Sequence, residues 1–358
     1  MSGLCADGRL FFANNMKFRM MKSLLLLILV CFCGCATAQT KTNLTEKERF
    51  ELAADYSRQA RGVSVLVMKG DKIVFEDYQN GHTADEPSPL FSGTKSFSGV
   101  MLAAAIEDKL IKDFDEKVSD TITEWKSDDR KSKITIRQLL SLTSGIDAGQ
   151  IGVVPAYSEA ILKPASHDPG TFFQYGPVPY QIFGELMTRK LKPKNETVMG
   201  YLKRRILDPI GLNVPYWRME NGQPLLPQGA SLTAREWVKF GLFLKSGGKW
   251  NGKQIVKKDL LNELIIGSKA NPAYGVTFWL NNKGQGPAGR ATIGGNSDGI
   301  GRNGIAEGVS DLFMAAGALN QRLYVIRSLD LVVVRQGQMA KYDDAEFLKR
   351  LLLGVAGK

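Results

Sequence analysis

Two groups of strand patterns, separated by a long and mostly helical stretch, limit the topology of this 358-residue chain more than any other feature. The first group is Val63–Met68 and Lys72–Asp77, which flank the turn pair Gly70-Asp71 and so predict a hairpin. The second group consists of apolar runs late in the chain, at Tyr274–Leu280, Asp311–Ala315, Arg322–Ile326 and Leu331–Arg335. We therefore predict an α/β fold of the α+β type, in which helices flank an antiparallel sheet and an α-rich subdomain is inserted.

Helical patterns define the predicted insertion. Apolar residues recur at helical spacing in the segments Thr45–Gln59, Ser92–Leu110, Ile134–Leu142, Tyr180–Leu191, Thr197–Leu207, Thr233–Lys245 and from about Asp344 onward. We predict that residues 39–358 form a single domain. Its α/β part would lie at about 45–95 and 273–358, and its α-rich insertion at about 96–272.

Residues 1–38 have the layout of an export signal with an upstream extension. Basic residues precede the short apolar run Ser23–Val30, and small residues follow it. Ala36-Thr37-Ala38 matches an A-x-A cleavage site, which would leave a soluble periplasmic or secreted protein. Phe32–Cys35 also resembles a lipoprotein box, in which Cys35 would carry the lipid anchor. Both forms of export, and a retained membrane anchor, stay open at this point.

Residue counts exclude several kinds of site. All four cysteines lie before residue 36, and the only histidines are His82 and His167. The rest of the chain therefore lacks the ligands for a Cys/His zinc site and has no catalytic cysteine. We predict neither a metal nor an organic cofactor. The net charge is +11, but basic residues form no stripe interleaved with aromatics, so we predict no nucleic-acid partner.

Several serine and glycine motifs compete as carriers of the chemistry. Gly295–Gly299 matches G-x-S-x-G around Ser297, but a flexible stretch follows it where a nucleophile elbow requires a helix. Gly299–Gly304 matches G-x-G-x-x-G and also lacks the following helix, which disfavours dinucleotide binding. A Ser-His-Asp triad would need one of two histidines that both lie in predicted loops. Ser246–Lys249 matches S-x-x-K within a Gly-Gly turn, which is typical of a solvated loop.

The other S-x-x-K motif, Ser92–Lys95, follows a polar loop and opens an apolar helix. Residues at positions i and i+3 share a helix face, so the Lys95 amine can lie beside the Ser92 hydroxyl. Burial lowers the pKa of a lysine, and a neutral amine can deprotonate the serine. The alternative is that Ser92 only caps the helix and Lys95 is a surface residue.

The segment Phe91–Phe97 resembles the active-site segment of the β-lactamase-related serine hydrolases, which include class C β-lactamases, D-alanyl-D-alanine peptidases and carboxylesterases. Further segments resemble this family in the same order and spacing over about residues 60–340, namely Ile134–Gly145, Pro169–Tyr175, Gly229–Phe240, Tyr274–Trp279 and Gly317–Val334. The resemblance implies a β-lactamase/transpeptidase-like fold.

The resemblance also implies roles for individual residues. Ser92 would be the nucleophile, Lys95 its base, and Tyr175 a partner that shares the base role or protonates the leaving group. The backbone N–H groups of Ser92 and Ala318 would form the oxyanion hole. Gly317, Gly176 and Pro177 would lie at positions that contact substrate.

Three motifs depart from the family pattern. Pro177 replaces the asparagine of Y-x-N, and Leu142 replaces the histidine of H-T-S-G. Ala315-Ala316-Gly317 stands where the family has Lys or His, then Ser or Thr, then Gly. The cation that commonly binds a substrate carboxylate is therefore missing, although Arg322 or Arg327 could reach in from a neighbouring strand.

We therefore expect an exported serine hydrolase that cleaves an ester or amide bond of a small-molecule or peptide-like acyl substrate. The alternatives are a true β-lactamase or D-alanyl-D-alanine peptidase, and a non-catalytic envelope-binding protein on the same fold.

Overall fold

The computed structural model describes residues 44–284 and 304–354. Six strands of these residues form the main sheet, namely β1 (Gly62–Lys69), β2 (Lys72–Tyr78), β10 (Trp279–Leu280), β11 (Phe313–Gly317), β12 (Gln321–Ile326) and β13 (Leu331–Gly337). Seven short strands form small sheets and hairpins, namely β3 (Ser88–Pro89), β4 (Tyr216–Trp217), β5 (Met219–Glu220), β6 (Gln223–Pro224), β7 (Ala230–Leu232), β8 (Lys249–Trp250) and β9 (Lys253–Gln254).

The described helices include α1 (Glu46–Gln59) and α9 (Asp344–Leu353), which pack against each other. Between them along the chain lie α2 (Lys95–Glu107), α3 (Ile136–Leu140), α4 (Tyr157–Ala160), α5 (Val178–Leu191), α6 (Val198–Leu202), α7 (Ala234–Lys245) and α8 (Lys258–Glu263). Helix α1 begins as its sequence predicts, because Thr45 and Glu48 form a capping box at its first turn. Among the described residues, no helix is long and apolar enough to span a membrane.

The main sheet joins strands from the beginning and the end of the described residues. Its strand order is β10-β11-β12-β13-β1-β2, and every neighbouring pair is antiparallel. Strand β1 therefore lies inside the sheet, between β13 and β2, and is buried along nearly its whole length, whereas β2 is an exposed edge strand. This arrangement confirms the predicted antiparallel sheet flanked by helices.

The structure corrects some predicted elements. Of the predicted strand Tyr274–Leu280, only Trp279–Leu280 pairs in the sheet. The preceding residues form a tight turn, in which Gly275 N donates to Phe278 O and Thr277 has a φ of 78°. The hydrophobic pattern of the sequence does not predict this turn, because left-handed backbone at a threonine is uncommon.

The helix predicted at Ile134–Leu142 is also shorter than expected. Helix α3 spans only Ile136–Leu140, because Leu142 has a φ of 62° and ends the helical path. The predicted α-rich insertion, at about 96–272, also contains the short strands β4 to β9. Helix α7 lies within the predicted insertion by sequence, yet it packs against β1, β12 and β13 of the main sheet.

Candidate active site

Ser92 lies in a single 3-10 turn, Phe91–Thr94, that links β3 to α2. Two contacts with Ala230 hold this turn in place. Leu90 N donates to Ala230 O at 2.8 Å, and Ala230 N donates to Thr94 Oγ1 at 3.2 Å. Helix α2 begins only at Lys95, with Thr94 as its N-cap. Ser92 therefore does not cap α2, and the side chain is partly exposed at the start of a buried helix.

Lys95 occupies the first position of α2, and only 3% of its surface is exposed. Its Nζ lies 3.1 Å from Ser92 Oγ and donates to Pro227 O at 3.0 Å. Burial lowers the pKa of Lys95 to about 7, because a charged amine loses hydration inside the protein. The amine is therefore neutral in a substantial fraction of molecules near pH 7, at hydrogen-bond distance from the hydroxyl that it would deprotonate.

Two tyrosine rings flank the Lys95 amine. The centroids of Tyr175 and Tyr180 lie 5.1 Å and 5.2 Å from Nζ, within the range of cation–π contacts. The Tyr180 hydroxyl lies 2.8 Å from that of Tyr274, so this ring is fixed from its far side. The rings exclude water from the amine and restrict its position.

Tyr175 is also buried, with 8% of its surface exposed. Burial raises the pKa of Tyr175 to about 12, while hydrogen bonds to Ser92 and Trp279 act in the opposite direction. The phenol therefore keeps its proton at neutral pH. The Trp279 ring stacks on that of Tyr175, with centroids 5.5 Å apart and planes inclined by 28°. Since Lys95 is the group with a pKa near 7, it is the better base, and Tyr175 is suited to donate a proton.

The two residues after Tyr175 shape the backbone and add no polar side chain. A Cβ on Gly176 would lie 2.1 Å from Ala148 O, so only glycine fits at this position. Pro177 is the N-cap residue of α5. The carbonyl of Pro227, rather than an amide side chain, thus accepts the second hydrogen bond of Lys95.

Strand β11 brings Gly317 and Ala318 toward Ser92. A Cβ on Gly317 would lie 1.9 Å from Leu90 O and 3.1 Å from Gly93 N, so the strand end packs directly against the turn that carries Ser92. Ala318 is the next residue after this contact. The candidate oxyanion residues Ser92 and Ala318 are far apart in sequence. The contact between the end of β11 and the turn Phe91–Thr94 brings them together.

Neither of the two candidate arginines is free to bind a substrate carboxylate. Arg322 is buried and forms two hydrogen bonds with Asp344, at 2.7 Å and 3.1 Å. Arg327 donates to Asn262 Oδ1 at 2.9 Å and to Leu244 O at 3.0 Å. The strand residues Ala315, Ala316 and Gly317 supply no cation in their place.

The competing residues that the structure describes do not gather at this site. His167 stacks on Phe172, and His82 contacts Glu86. The Ser246 hydroxyl lies within hydrogen-bond distance of two backbone carbonyls of its own turn, Phe243 O and Lys249 O, as expected for a loop. Both glycine-rich motifs around Ser297 lie largely outside the described residues. In the part of the chain that the structure describes, no cluster of His, Cys, Asp or Glu is arranged to hold a metal ion.

Sequence reasoning missed two partners of the catalytic candidates. Trp279 ends one of the segments that resemble the family, but nothing in the sequence predicts that its buried ring stacks on Tyr175. Pro227 contributes through its carbonyl oxygen, which every residue type possesses, so its sequence identity carries no signal. The position of Gly229–Phe240 among the resembling segments was the only indication that this region approaches the site.

Solved structures of low sequence identity share this fold. A protein from Bacillus anthracis described as a 6-aminohexanoate-dimer hydrolase superposes with a TM-score of 0.63 at 17% identity, over 83% of this chain and 78% of that one. A family VIII carboxylesterase gives 0.64 at 15% identity, over 86% and 96%. A penicillin-binding protein homologue from Caulobacter crescentus gives 0.62 at 13% identity, over 85% and 95%. The fold is thus that of β-lactamase-like serine hydrolases.

The Beta-lactamase family model matches residues 34–301, which is more than half of the chain. The chain belongs to the Beta-lactamase family, whose members are serine hydrolases. No curated protein matches the sequence.

Proposed function

We propose that this protein is an exported serine hydrolase that cleaves ester or amide bonds through an acyl-enzyme on Ser92. The observation that carries the proposal is the buried Lys95 amine, 3.1 Å from Ser92 Oγ and with a pKa lowered to about 7. A lysine that serves only as a surface residue would not be buried without a carboxylate partner. A role as general base explains why the amine is buried although its burial is unfavourable for stability.

The proposed reaction has two halves. Neutral Lys95 takes the proton of Ser92 Oγ as this oxygen attacks the substrate carbonyl, and the backbone N–H groups of Ser92 and Ala318 hold the developing oxyanion. Tyr175, still a phenol at neutral pH, donates a proton to the leaving alcohol or amine and is reprotonated from Lys95. Water then attacks the acyl-enzyme and gives a proton to Lys95. Lys95 returns this proton to Ser92 Oγ as the bond between Oγ and the acyl carbon breaks, which releases the acid and free Ser92.

Uncharged acyl groups fit this site better than carboxylate-bearing lactams. Ala315, Ala316 and Gly317 offer no side-chain donor, and Arg322 is engaged with Asp344. A charge-assisted hydrogen bond to a carboxylate is worth roughly 1.5–3 kcal/mol, and its loss lowers affinity by about 10- to 150-fold. We therefore place the substrate among short esters or amides. Two structural neighbours are described as a family VIII carboxylesterase and a 6-aminohexanoate-dimer hydrolase, which is consistent with this choice.

Steady-state kinetics test the proposal. We expect the purified chain to hydrolyse p-nitrophenyl acetate or butyrate, and both Ser92→Ala and Lys95→Ala to lower kcat by about 100-fold or more, the usual scale for an essential positioned group. Ser246→Ala, which removes the hydroxyl of the second S-x-x-K motif, is the matched control and should retain activity. Unchanged turnover in Ser92→Ala would refute the proposal, and a folded chain that hydrolyses no substrate would favour an envelope-binding protein.

Export forms part of the proposal and rests on the sequence before residue 39 alone. The mature protein would be periplasmic or secreted after cleavage at Ala38, or bound to a membrane through a lipid on Cys35.

A further inference from the structure

Two buried arginines hold the turn that follows β11. This turn, residues 318–320, connects β11 to β12 and has left-handed backbone at Leu319 and Asn320, with φ values of 58° and 64°. Arg322 Nη1 donates to Gly317 O and to Gln321 O, each at 3.0 Å. Arg335 Nη1 donates to Asn320 O at 2.9 Å. The arginines therefore bind different carbonyls of one short connection.

Arg322 is itself held rigidly. Only 2% of its surface is exposed, and Asp344, the first residue of α9, accepts from both Nε and Nη2. Asp344 also accepts from the Tyr324 hydroxyl. Burial lowers the pKa of Arg322, but the charge of Asp344 outweighs this effect, so the guanidinium stays charged. Its planar fork cannot turn toward a substrate without breaking these hydrogen bonds.

The carbonyl of Gly317 belongs to the same peptide group as the N–H of Ala318. We infer that Arg322 is a positioning residue for the oxyanion contact, and that it acts on the Ala318 N–H through the Gly317 carbonyl. This inference rests on the proposed function, in which Ala318 N–H stabilises the oxyanion of the acyl-transfer step.

Peptide geometry explains how the effect is transmitted. The peptide is planar and trans, so a hydrogen bond that fixes the carbonyl on one side also fixes the direction of the N–H on the other. A hydrogen bond from a charged donor is roughly twice as strong as one between neutral groups. It also polarises the peptide, and such cooperativity strengthens the next hydrogen bond by about 10–30%. Arg322 thus both aims the donor and increases its strength.

Arg335 provides a matched comparison within the same turn. It is as deeply buried as Arg322 and donates to Asn320 O, Ala60 O and Ser57 Oγ. Its hydrogen bonds do not include Gly317 O. A lysine at either position keeps the charge but loses the planar fork, so Arg322→Lys and Arg335→Lys impose similar packing changes. The two variants differ in the carbonyl that loses its hydrogen bond, which is Gly317 O for Arg322 and Asn320 O for Arg335.

A thiono ester substrate separates this positioning role from a structural one. Sulfur accepts hydrogen bonds poorly, so replacing the carbonyl oxygen of p-nitrophenyl butyrate by sulfur should slow the wild-type protein strongly. We expect Arg322→Lys to lower kcat for the oxygen ester by about 10-fold or more, a fraction of the 10²–10³ attributed to loss of an oxyanion donor. We expect Arg322→Lys to lower kcat for the thiono ester much less. The ratio of kcat for the oxygen ester to kcat for the thiono ester should therefore fall. Arg335→Lys should leave this ratio unchanged.

The outcomes distinguish the inference from the proposed function. A wild-type chain that is inactive on the oxygen ester contradicts the proposed function itself. Wild-type turnover combined with an unchanged oxygen-to-sulfur ratio in Arg322→Lys contradicts only the role of Arg322. If Arg322→Lys does not fold, as judged by its thermal unfolding, the double variant Arg322→Met with Asp344→Leu replaces it. Removing both charges of a buried ion pair is often neutral for stability, and the same fall in the ratio is expected.

Discussion

At the scale of single residues, the site depends on the opposite effects of burial on two groups. Burial lowers the pKa of Lys95 to about 7 and raises that of Tyr175 to about 12. Two titratable groups pushed apart in this way are suited to serve as base and acid in one reaction. Their neighbours are mainly aromatic rings and a backbone carbonyl, and the charge of Arg322 also acts to lower the pKa of Tyr175.

The pH dependence of hydrolysis follows from the Lys95 amine. The neutral form is the base, so kcat/KM for an uncharged ester should rise with pH, with a midpoint at about 7. Tyr175 should not limit activity until pH approaches 12. A pH–rate profile from pH 5 to 9 tests this, and a profile that falls from pH 6 to 8 would contradict Lys95 as the base.

The lowered pKa of Lys95 also predicts that the stability of the protein depends on pH. The pKa of Lys95 is about 7 in the folded chain and about 10.4 in the unfolded chain. Between these values the unfolded chain binds more protons, so the free energy of unfolding rises with pH across that interval. Burial of the amine is thus most unfavourable below pH 7. We expect Lys95→Met to have a higher Tm than the wild type, and this difference in Tm to be larger at pH 6.5 than at pH 9.5. A difference in Tm that does not change with pH would contradict this.

The proximity of Ser92 and Lys95 was predictable because the two residues are only three positions apart. The predicted helix begins three residues late, but the 3-10 turn Phe91–Thr94 still places the two side chains together, with Nζ 3.1 Å from Oγ. Trp279 and the Pro227 carbonyl lie far away in sequence, and only tertiary packing brings them to the pair. The hydrogen bonds of Arg322 were equally hidden, since strand alternation did not reveal which face of β12 it occupies.

At the scale of elements, the site forms where the end of β11 meets the turn that carries Ser92. The contact is tight because Gly317 has no side chain, so the strand backbone approaches Leu90 and Gly93 directly. The predicted strand at Asp311–Ala315 was displaced, since β11 extends through Gly317. Such boundary shifts matter here, because the last residue of β11 is the one that touches the site.

This contact predicts the result of enlarging Gly317. The added methyl of Gly317→Ala would lie 1.9 Å from Leu90 O, so β11 must move away from Ser92. We expect a loss of about 1–3 kcal/mol in stability and a decrease in kcat of about 10-fold or more, because the oxyanion donors separate. Gly222→Ala is the control, because no atom lies within 4 Å of its added methyl; its φ of +75° is unfavourable for alanine, whereas Gly317 has extended backbone with a φ of −124°. Full activity in Gly317→Ala would contradict the assigned role of this contact.

At the scale of the whole molecule, the fold was predictable because strand patterns bracket a helical stretch. Pairing of β1 with β13 closes the sheet between the two ends of the described chain. Periodicity did not predict the short hairpins β5–β6 and β8–β9, whose two-residue strands are too short to show alternation. Nor did it reveal that α7 packs on the sheet.

The substrate preference follows from the described side chains around the site. We expect kcat/KM for p-nitrophenyl butyrate to exceed that for nitrocefin or a D-Ala-D-Ala peptide, because the described site offers no free cation to a carboxylate. Direct comparison of the three values is the measurement. Efficient nitrocefin turnover beside poor ester hydrolysis would instead support a true β-lactamase.

The export prediction concerns the mature chain. Intact mass of the protein from its native host should show a start at Gln39 for a soluble form, or at Cys35 with added acyl mass for a lipoprotein. Recovery of a cytoplasmic chain that retains Leu24–Leu29 would contradict both forms.

Covalent labelling tests the central proposal most directly. A fluorophosphonate should react with the wild-type protein, and peptide mass spectrometry should locate the adduct on Ser92. Labelling should disappear in Ser92→Ala and persist in Ser297→Ala, which removes the serine of the competing G-x-S-x-G motif. Labelling that persists in Ser92→Ala and maps to Ser297 would contradict the proposed nucleophile and, with it, the mechanism built on Lys95.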